Sequence, residues 1–398
     1  MKKLACFIFA LFLIFCPAYV LSSRTLSSNI VMADGVEEEF DNTINDQLGD
    51  IDFSDIEDIV NDLQESEKNV FGNKSFLEKV YMILSGDFSE DFTSIWDLLG
   101  SLFLDNILSF LPIVATIIAV AILGGMVGNL KPQNTGKSIG NIIHFVIYGV
   151  IVLLLSSIII KMVSITSGTL LSIKNQIDVI FPVLLTVLTA LGGTVAVSAF
   201  QPAVAVLSSI IVQLFANLLL PLFLISIALS FVSNLSNSVK LDKLSGFINS
   251  LFKWLVGIIF TVFTAFISIQ GLTAGAIDGL SIKTAKFTIK SSLPLIGSYV
   301  SDGLFLILAS SNLIKNAVGG AGLLLLIATV LSPLIQLILF VLALKLMAGI
   351  IEPLGDGKIA NFISSLAKSM TMLIVMIVAV SFMYLVLTGL VMCSANII

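Results

Sequence analysis

Beyond residue 106 the chain is written in long apolar runs. Each runs to about 20 residues or more, which as helix crosses a hydrocarbon core of roughly 30 Å. They cover approximately 107–130, 142–160, 203–233, 254–274, 318–346 and 370–392. Two further stretches, 179–200 and 292–312, are also apolar. Each has a proline near its start, Pro182 and Pro294, with glycine or serine through it. That is how broken or re-entrant helices read when their freed backbone groups are buried in protein. The predicted fold class is all-α: a polytopic helical membrane protein with repeated helical hairpins and two broken or re-entrant segments.

The first 106 residues follow other patterns. Lys2 and Lys3 precede apolar Leu4 to Leu21, and Val31-Met32-Ala33 places small residues before a cut at Asp34, so 1–33 read as a secretory signal peptide. An uncleaved anchor helix is the alternative. A lipoprotein anchor at Cys16 is disfavoured by the bulky Phe15 before it. Residues 34–106 form an acidic extracytoplasmic region with apolar residues at helical spacing: Ile51, Ile56, Ile59, Val60 and Leu63, then Phe76, Leu77, Val80, Tyr81 and Leu84. Phe92, Ile95, Trp96, Leu99 and Phe103 predict a last helix lying along the membrane surface. Residues 107–398 are the polytopic domain, with six to eight spans.

An internal repeat of about 112 residues organises that domain. Pro182 and Pro294 share this offset with Pro221 and Pro333, and Pro112 holds the place of Pro221 and Pro333 in the first span. Lys137-Ser-Ile-Gly-Asn-Ile, Lys243-Leu-Ser-Gly-Phe-Ile and Lys358-Ile-Ala-Asn-Phe-Ile open the return helices. The pattern predicts three hairpins, with a broken element before the second and third. Six spans place the three hairpin turns on one side. Eight spans give the same division of lysines between the sides, so the positive-inside rule does not choose.

Composition agrees with a membrane body: 57% of residues are hydrophobic, 12% are charged, and the mean hydropathy is +1.08. The net charge of −6 conceals an asymmetry, because 18 of the 26 acidic residues lie between Asp34 and Asp91, whereas 14 lysines face 8 acidic residues beyond Thr93. The acidic run reads either as a solvated face or as a docking surface for an extracytoplasmic partner. No phosphate-cradling loop, HExxH or CxxC occurs, and no basic patch suited to nucleic acid, so neither a cofactor nor a metal is expected. His144 is the lone histidine and has no second ligand at metal spacing. No nucleophile, base and oxyanion group assemble, so an enzyme is not expected.

The polar candidates are few. Asp278 and Asp302 lie near the membrane, where a carboxylate needs a partner or water, and with Pro182 and Pro294 they form the candidate polar path. They read equally as interfacial helix caps. Gly271, Gly275 and Gly279 make a stripe without side chains for close helix approach, as do Gly319, Gly320 and Gly322. Glu352-Pro353 reads as a helix stop.

Two segments also carry a resemblance. Lys283-Thr-Ala-Lys-Phe-Thr-Ile-Lys-Ser-Ser-Leu-Pro-Leu-Ile-Gly-Ser-Tyr-Val-Ser-Asp-Gly303 and Ser311-Asn-Leu-Ile-Lys-Asn-Ala-Val-Gly-Gly-Ala-Gly322 resemble the stage III sporulation protein AE family of endospore-forming bacteria. The resemblance implies a permease-like or export-gate-like subunit of a channel complex in the mother-cell membrane around the forespore. Its implied partners are the lipid bilayer, a cytoplasmic secretion-type ATPase, ring-forming intermembrane proteins and, indirectly, stage II sporulation protein Q. A self-sufficient secondary transporter and a non-conducting scaffold are the rival readings.

Overall fold

The computed structural model describes residues 34–86, 91–129, 137–235, 241–292, 297–354 and 357–394, with the side chains of some helical stretches, such as 137–144 and 270–283, left outside the description. The predicted signal peptide, 1–33, lies outside the described residues. Four short helices come first: α1 (Asp34–Gly49), α2 (Ser54–Asn61), α3 (Glu65–Phe71) and α4 (Phe76–Ser85). Then come α5 (Asp91–Asn129) and α6 (Lys137–Ala190). The next helix is continuous but changes type: α7 (Thr194–Ala205), a π segment at Val206–Ile211, α8 (Val212–Leu214), a π segment at Phe215–Leu219, and α9 (Leu220–Leu235). Finally come α10 (Asp242–Ser292), α11 (Gly297–Leu354) and α12 (Gly357–Cys393). Among the described residues there is no strand.

Six of these helices are long and apolar enough to cross a membrane: Gly100–Met126, Phe145–Ala190, Thr194–Ser233, Lys243–Ile269, Leu306–Pro353 and Gly357–Cys393. They alternate in direction. At one end, the hairpin end, the Tyr148 hydroxyl of α6 donates to the Phe231 carbonyl of α9 at 2.8 Å, and both rings pack on Phe362 of α12. The α9–α10 turn is tied at the same end by Ser226 to Asn249 at 3.0 Å and Ser230 to Ser245 at 3.2 Å. The middle of the bundle is filled by α11 and α12; α12 also packs on α6, α9 and α10, while α5 lies outside against α6 and α11.

Two expectations change here. Residues 179–200 do hold a break, but not at Pro182, because α6 runs 54 residues through that proline. Proline removes one backbone donor, and an otherwise apolar, well-packed helix tolerates that loss. The break falls at Gly192, whose φ of +78° suits glycine, and at Gly193, where a Cβ would stand 2.9 Å from the Leu188 carbonyl oxygen. Of the second stretch, 293–296 with Pro294 lie outside the described residues, and 297–312 continue directly into the 58-residue α11. Second, 91–103 are the opening turns of α5 and not a separate surface helix.

Helix length explains the oiliness of 179–200. At 1.5 Å per residue α6 is about 81 Å long, more than twice a hydrocarbon core of roughly 30 Å. Its exposed large apolar side chains stop at Leu171, and among the described side chains of α10, which end at Ile269, they begin at Leu244. Beyond that belt Phe181, Leu184, Leu188, Leu191 and Phe200 are buried, while Thr186, Thr189, Thr194, Ser198 and Gln201 are exposed. This stretch is apolar because it packs inside protein.

The short helices cap that upper part. Glu57 accepts the Phe76 and Leu77 amides at 3.1 and 3.0 Å, holding the N-terminus of α4. Ser75 and Glu78 complete a capping box there, and the buried Phe53 and Phe76 rings meet at 5.9 Å. Glu67 closes a second box with Gln64, and burial raises its carboxyl above the usual range. On α11, Ser311 donates to Gln47 of α1 at 2.9 Å, and Gln47 donates to the Ile307 carbonyl at 3.4 Å. One hydrophobic cluster runs from Ile44 and Phe76 through Ile180 and Leu326 to Tyr384. The acidic residues Asp41, Asp46, Asp50, Asp55, Asp58 and Asp62 face outward.

Glycines allow the closest approach. A Cβ on Gly319 would lie 2.6 Å from Met392 Cγ, one on Gly322 would lie 3.1 Å from Ile180, and one on Gly320 would lie 3.2 Å from Ile83 of the cap. Gly319→Val is expected to destabilise the protein by about 1–3 kcal/mol through overpacking. Gly349→Ala, with nothing within 4 Å, is expected to change stability by less than about 1 kcal/mol. Thermal unfolding of the full chain in lipid nanodiscs compares the two, and equal melting temperatures would contradict the packing role of Gly319.

Candidate functional site: a charged cluster beside a π segment

Among the described residues, the apolar helices carry a charged cluster built from two of them. Lys174 and Asp178 stand one turn apart on α6 and form an ion pair, with side chains 27% and 39% exposed. From the first π segment, the Ser208 hydroxyl donates to the other Asp178 oxygen. An i, i+4 spacing puts the pair on one helix face, and the carboxylate then bridges α6 to the π segment. Ionised groups among apolar helices are costly unless paired or hydrated, and here each charge has its counter-charge.

The π segments belong to this site by position. A π turn widens the helix and shifts the side chains that follow, and such turns gather at functional positions. The second one ends two residues before Pro221, which has no N–H for the Asn217 carbonyl. The widened stretch coincides with that missing donor. Ser208 itself is buried.

On the opposite face of α6, Gln176 is fully buried and donates to Thr329 of α11 at 2.6 Å, and Thr329 donates to the Leu325 carbonyl at 3.0 Å. The Gln176 oxygen has no hydrogen-bond partner among the described residues. Polar bonds therefore leave both faces of α6 within about one turn, one toward the π segment and one toward α11. Near the cap, the fully buried Lys315 of α11 donates to the Ser394 carbonyl. No group of three His, Cys, Asp or Glu suited to a metal occurs among the described residues.

The residues singled out in the sequence lie elsewhere. Pro182 is exposed on α6, one turn beyond Asp178. Asp278 lies on α10 and Asp302 on α11, but both side chains fall outside the described residues, and so does Pro294 altogether. Gly271, Gly275 and Gly279 are helical on α10, with their surroundings likewise outside the description. The side chain of His144 is also outside it. Lys174, Asp178 and Ser208 escaped sequence reasoning, although Lys174 and Asp178 share i, i+4 spacing and flank the start of the 179–200 stretch. That spacing was the available signal.

Comparison with known proteins bears on the chain as a whole. The family described as Stage III sporulation protein AE matches residues 74–395. The chain belongs to that family. Stage III sporulation protein AE of Bacillus subtilis (strain 168) is 25% identical over 284 residues, which is 71% of this chain and 71% of that protein. No solved structure matches. The family assignment and the six apolar helices together make this a multi-pass membrane protein of sporulation. The matched span takes in α5 through α12, so the stage III AE assignment includes both π segments and the charged cluster.

Asp178→Ala leaves Lys174 without its carboxylate and Ser208 without its acceptor, and is expected to cost more than Ser208→Ala. The Lys174→Ala/Asp178→Ala pair is expected to show a coupling of about 0.5–3 kcal/mol in a double-mutant cycle. Thermal unfolding in nanodiscs measures it; strict additivity would show that the pair does not interact.

Proposed function

We propose that this protein is a membrane-embedded, permease-like or export-gate-like subunit of the mother cell–forespore channel complex required for endospore formation. The observation that carries the reading is the family match across residues 74–395, the whole of the apolar bundle. The proposed location is the mother-cell membrane around the forespore, with the N-terminal region outside the cytoplasm. There the outward acidic face of α1–α4 would meet ring-forming intermembrane proteins. A cytoplasmic secretion-type ATPase supplies the energy in this proposal, and stage II sporulation protein Q is reached indirectly through the rings. Catalysis has no part in it.

The cluster of Lys174, Asp178 and Ser208 favours a second reading, a self-sufficient secondary transporter, because such proteins place paired charges where a helix is locally irregular. Reconstitution separates the two. Purified protein in liposomes is expected to give no solute or ion flux alone and measurable flux with the partner subunits. Robust flux from the protein alone would favour the transporter. No flux in either case would leave a non-conducting scaffold.

A further inference from the structure

Four of the long helices each place an exposed lysine within the apolar belt: Lys161 on α6, Lys253 on α10, Lys345 on α11 and Lys368 on α12. None of the four has a hydrogen-bond or ion-pair partner among the described residues. Contacts between the helices bring them to about one depth. Counted toward the hairpin end, Lys161 and Lys345 stand about 15 and 16 residues from the bond between Gln176 and Thr329, roughly 23 Å. Lys368 stands about 16 residues from Tyr384, whose ring meets Phe181 of α6, and so comes level with a point about one turn above Lys161. The contact of Asp178 with Ser208 sets the register of α6 on the π segment, and that of Ser226 with Asn249 sets α9 on α10. By that register Lys161 and Lys253 both fall beside residues 222–225 of α9, within about one turn of each other.

This level lies inside the belt and not at its edge. Toward the hairpin end Leu153, Val232 and Leu244 are exposed, and toward the cap Leu218, Val262 and Ile269 are exposed. On α10, Lys253 is about 14 Å from Leu244 and about 24 Å from Ile269 along the helix. A lysine stem reaches little more than one turn of helix, so snorkelling does not bring these ammoniums to a headgroup surface. The outward positions of α5 show what a lipid-facing helix carries: Leu104, Leu108, Leu111, Leu123 and Met126 are each more than half exposed.

An ammonium among apolar helices needs a counter-charge or water. Of the exposed carboxylates described on the spanning helices, Asp178 is paired with Lys174, and Glu352 stands at the hairpin end. A second copy meeting the same surface across a two-fold axis would set lysine against lysine. Charge complementarity therefore selects the occupant. We infer that the bundle receives, at this level, spanning helices of a partner membrane protein that carry an aspartate or glutamate at the depth of the four lysines. The inference rests on the channel-subunit reading proposed above and names the chemistry of the neighbour. On α6 the surface also has room for close approach, since Ser164 and Gly168 are exposed one turn apart and a Cβ on Gly168 would meet nothing within 4 Å.

Peptide association in lipid tests the inference. The full chain in neutral-lipid nanodiscs is titrated with a fluorescent single-span Leu/Ala peptide carrying one central Asp, and with matched peptides carrying Asn or Lys. The Asp peptide is expected to associate at least about five-fold more tightly than the Asn peptide, with the Lys peptide weakest. Equal association of the Asp and Asn peptides with the unaltered chain would overturn the inference without recourse to any variant. Lys161→Leu, Lys253→Leu, Lys345→Leu and Lys368→Leu together are expected to abolish the preference, and arginine at the same four positions is expected to keep it. A preference that survives the leucines would also overturn it. Three other neighbours give distinct results, each against the inference. Asp105 of α5 has its side chain outside the described residues; if Asp105→Asn raises association of the Asp peptide, the lysines are neutralised within the chain. Energy transfer between two labelled copies that the leucine variant loses would place a second copy there. Retention of an anionic phospholipid that the leucine variant loses, with no preference for the Asp peptide, would make the level a headgroup surface. Spore yield in a strain lacking the protein tests the subunit reading separately: normal yield would remove that reading and leave the peptide result standing, whereas lost sporulation with no Asp preference would remove the docking surface alone.

Discussion

The close contact of α11 with α12 is the constraint on which the remaining packing depends. At Gly319 and Gly322 there is no room for a side chain beside Met392, Ile180 and Tyr384. Between apolar helices in lipid there is little hydrophobic gain to be had, so near approach and dispersion supply most of the attraction. Once α12 is locked there, its other faces receive α6, α9 and α10, and the bundle closes round it. Phe181 then meets Tyr384 edge-on at 5.5 Å, which fixes the depth of α6. The same glycine run meets the cap through Ile83. The acidic helices are thus seated by the stretch that seats the central helix.

Polar groups inside this frame divide into those that hold and those that wait. Gln176 with Thr329, Tyr148 with Phe231, and Lys315 with Ser394 tie helix to helix and are buried. Buried hydrogen bonds of this kind cost little to keep and much to break, because the stranded partner has no water to turn to. Of the exposed polar side chains of α6, Asp178 ties the helix to Ser208, whereas Lys161, Ser164 and Asn175 make no hydrogen bond or ion pair among the described residues.

Much of the fold was legible in the sequence because lipid imposes so plain a rule on backbone groups. Six apolar runs gave six helices, and the lysine-led segments at Lys137, Lys243 and Lys358 do open return helices or stand beside their start. The prolines misled. Pro182 reads as a break, yet the structure bends the chain ten residues later, where Gly192 takes a left-handed φ that no other residue type adopts freely. Apolar content misled as well, since 179–200 and much of α11 are oily for contact with protein, and hydropathy does not distinguish a protein neighbour from a lipid one. The site was less legible than the fold. Asp178 meets Ser208 across two helices 30 residues apart in sequence, at a π segment, and the spacing that produces a π segment has no simple signature in composition.

The unbroken length of α11 has a mechanical side. A helix of 58 residues without a glycine turn behaves as a rod of about 87 Å, and its two ends sit in different company. Gln47 and Ile83 grip it near the acidic cap, and the far end runs to the turn before α12. A load placed on the cap is therefore carried along one continuous helix, whose weak point is Pro333, where the Thr329 carbonyl lacks its backbone donor. The helix running from α7 to α9 is built differently beside it, changing type at Val206–Ile211 and again at Phe215–Leu219.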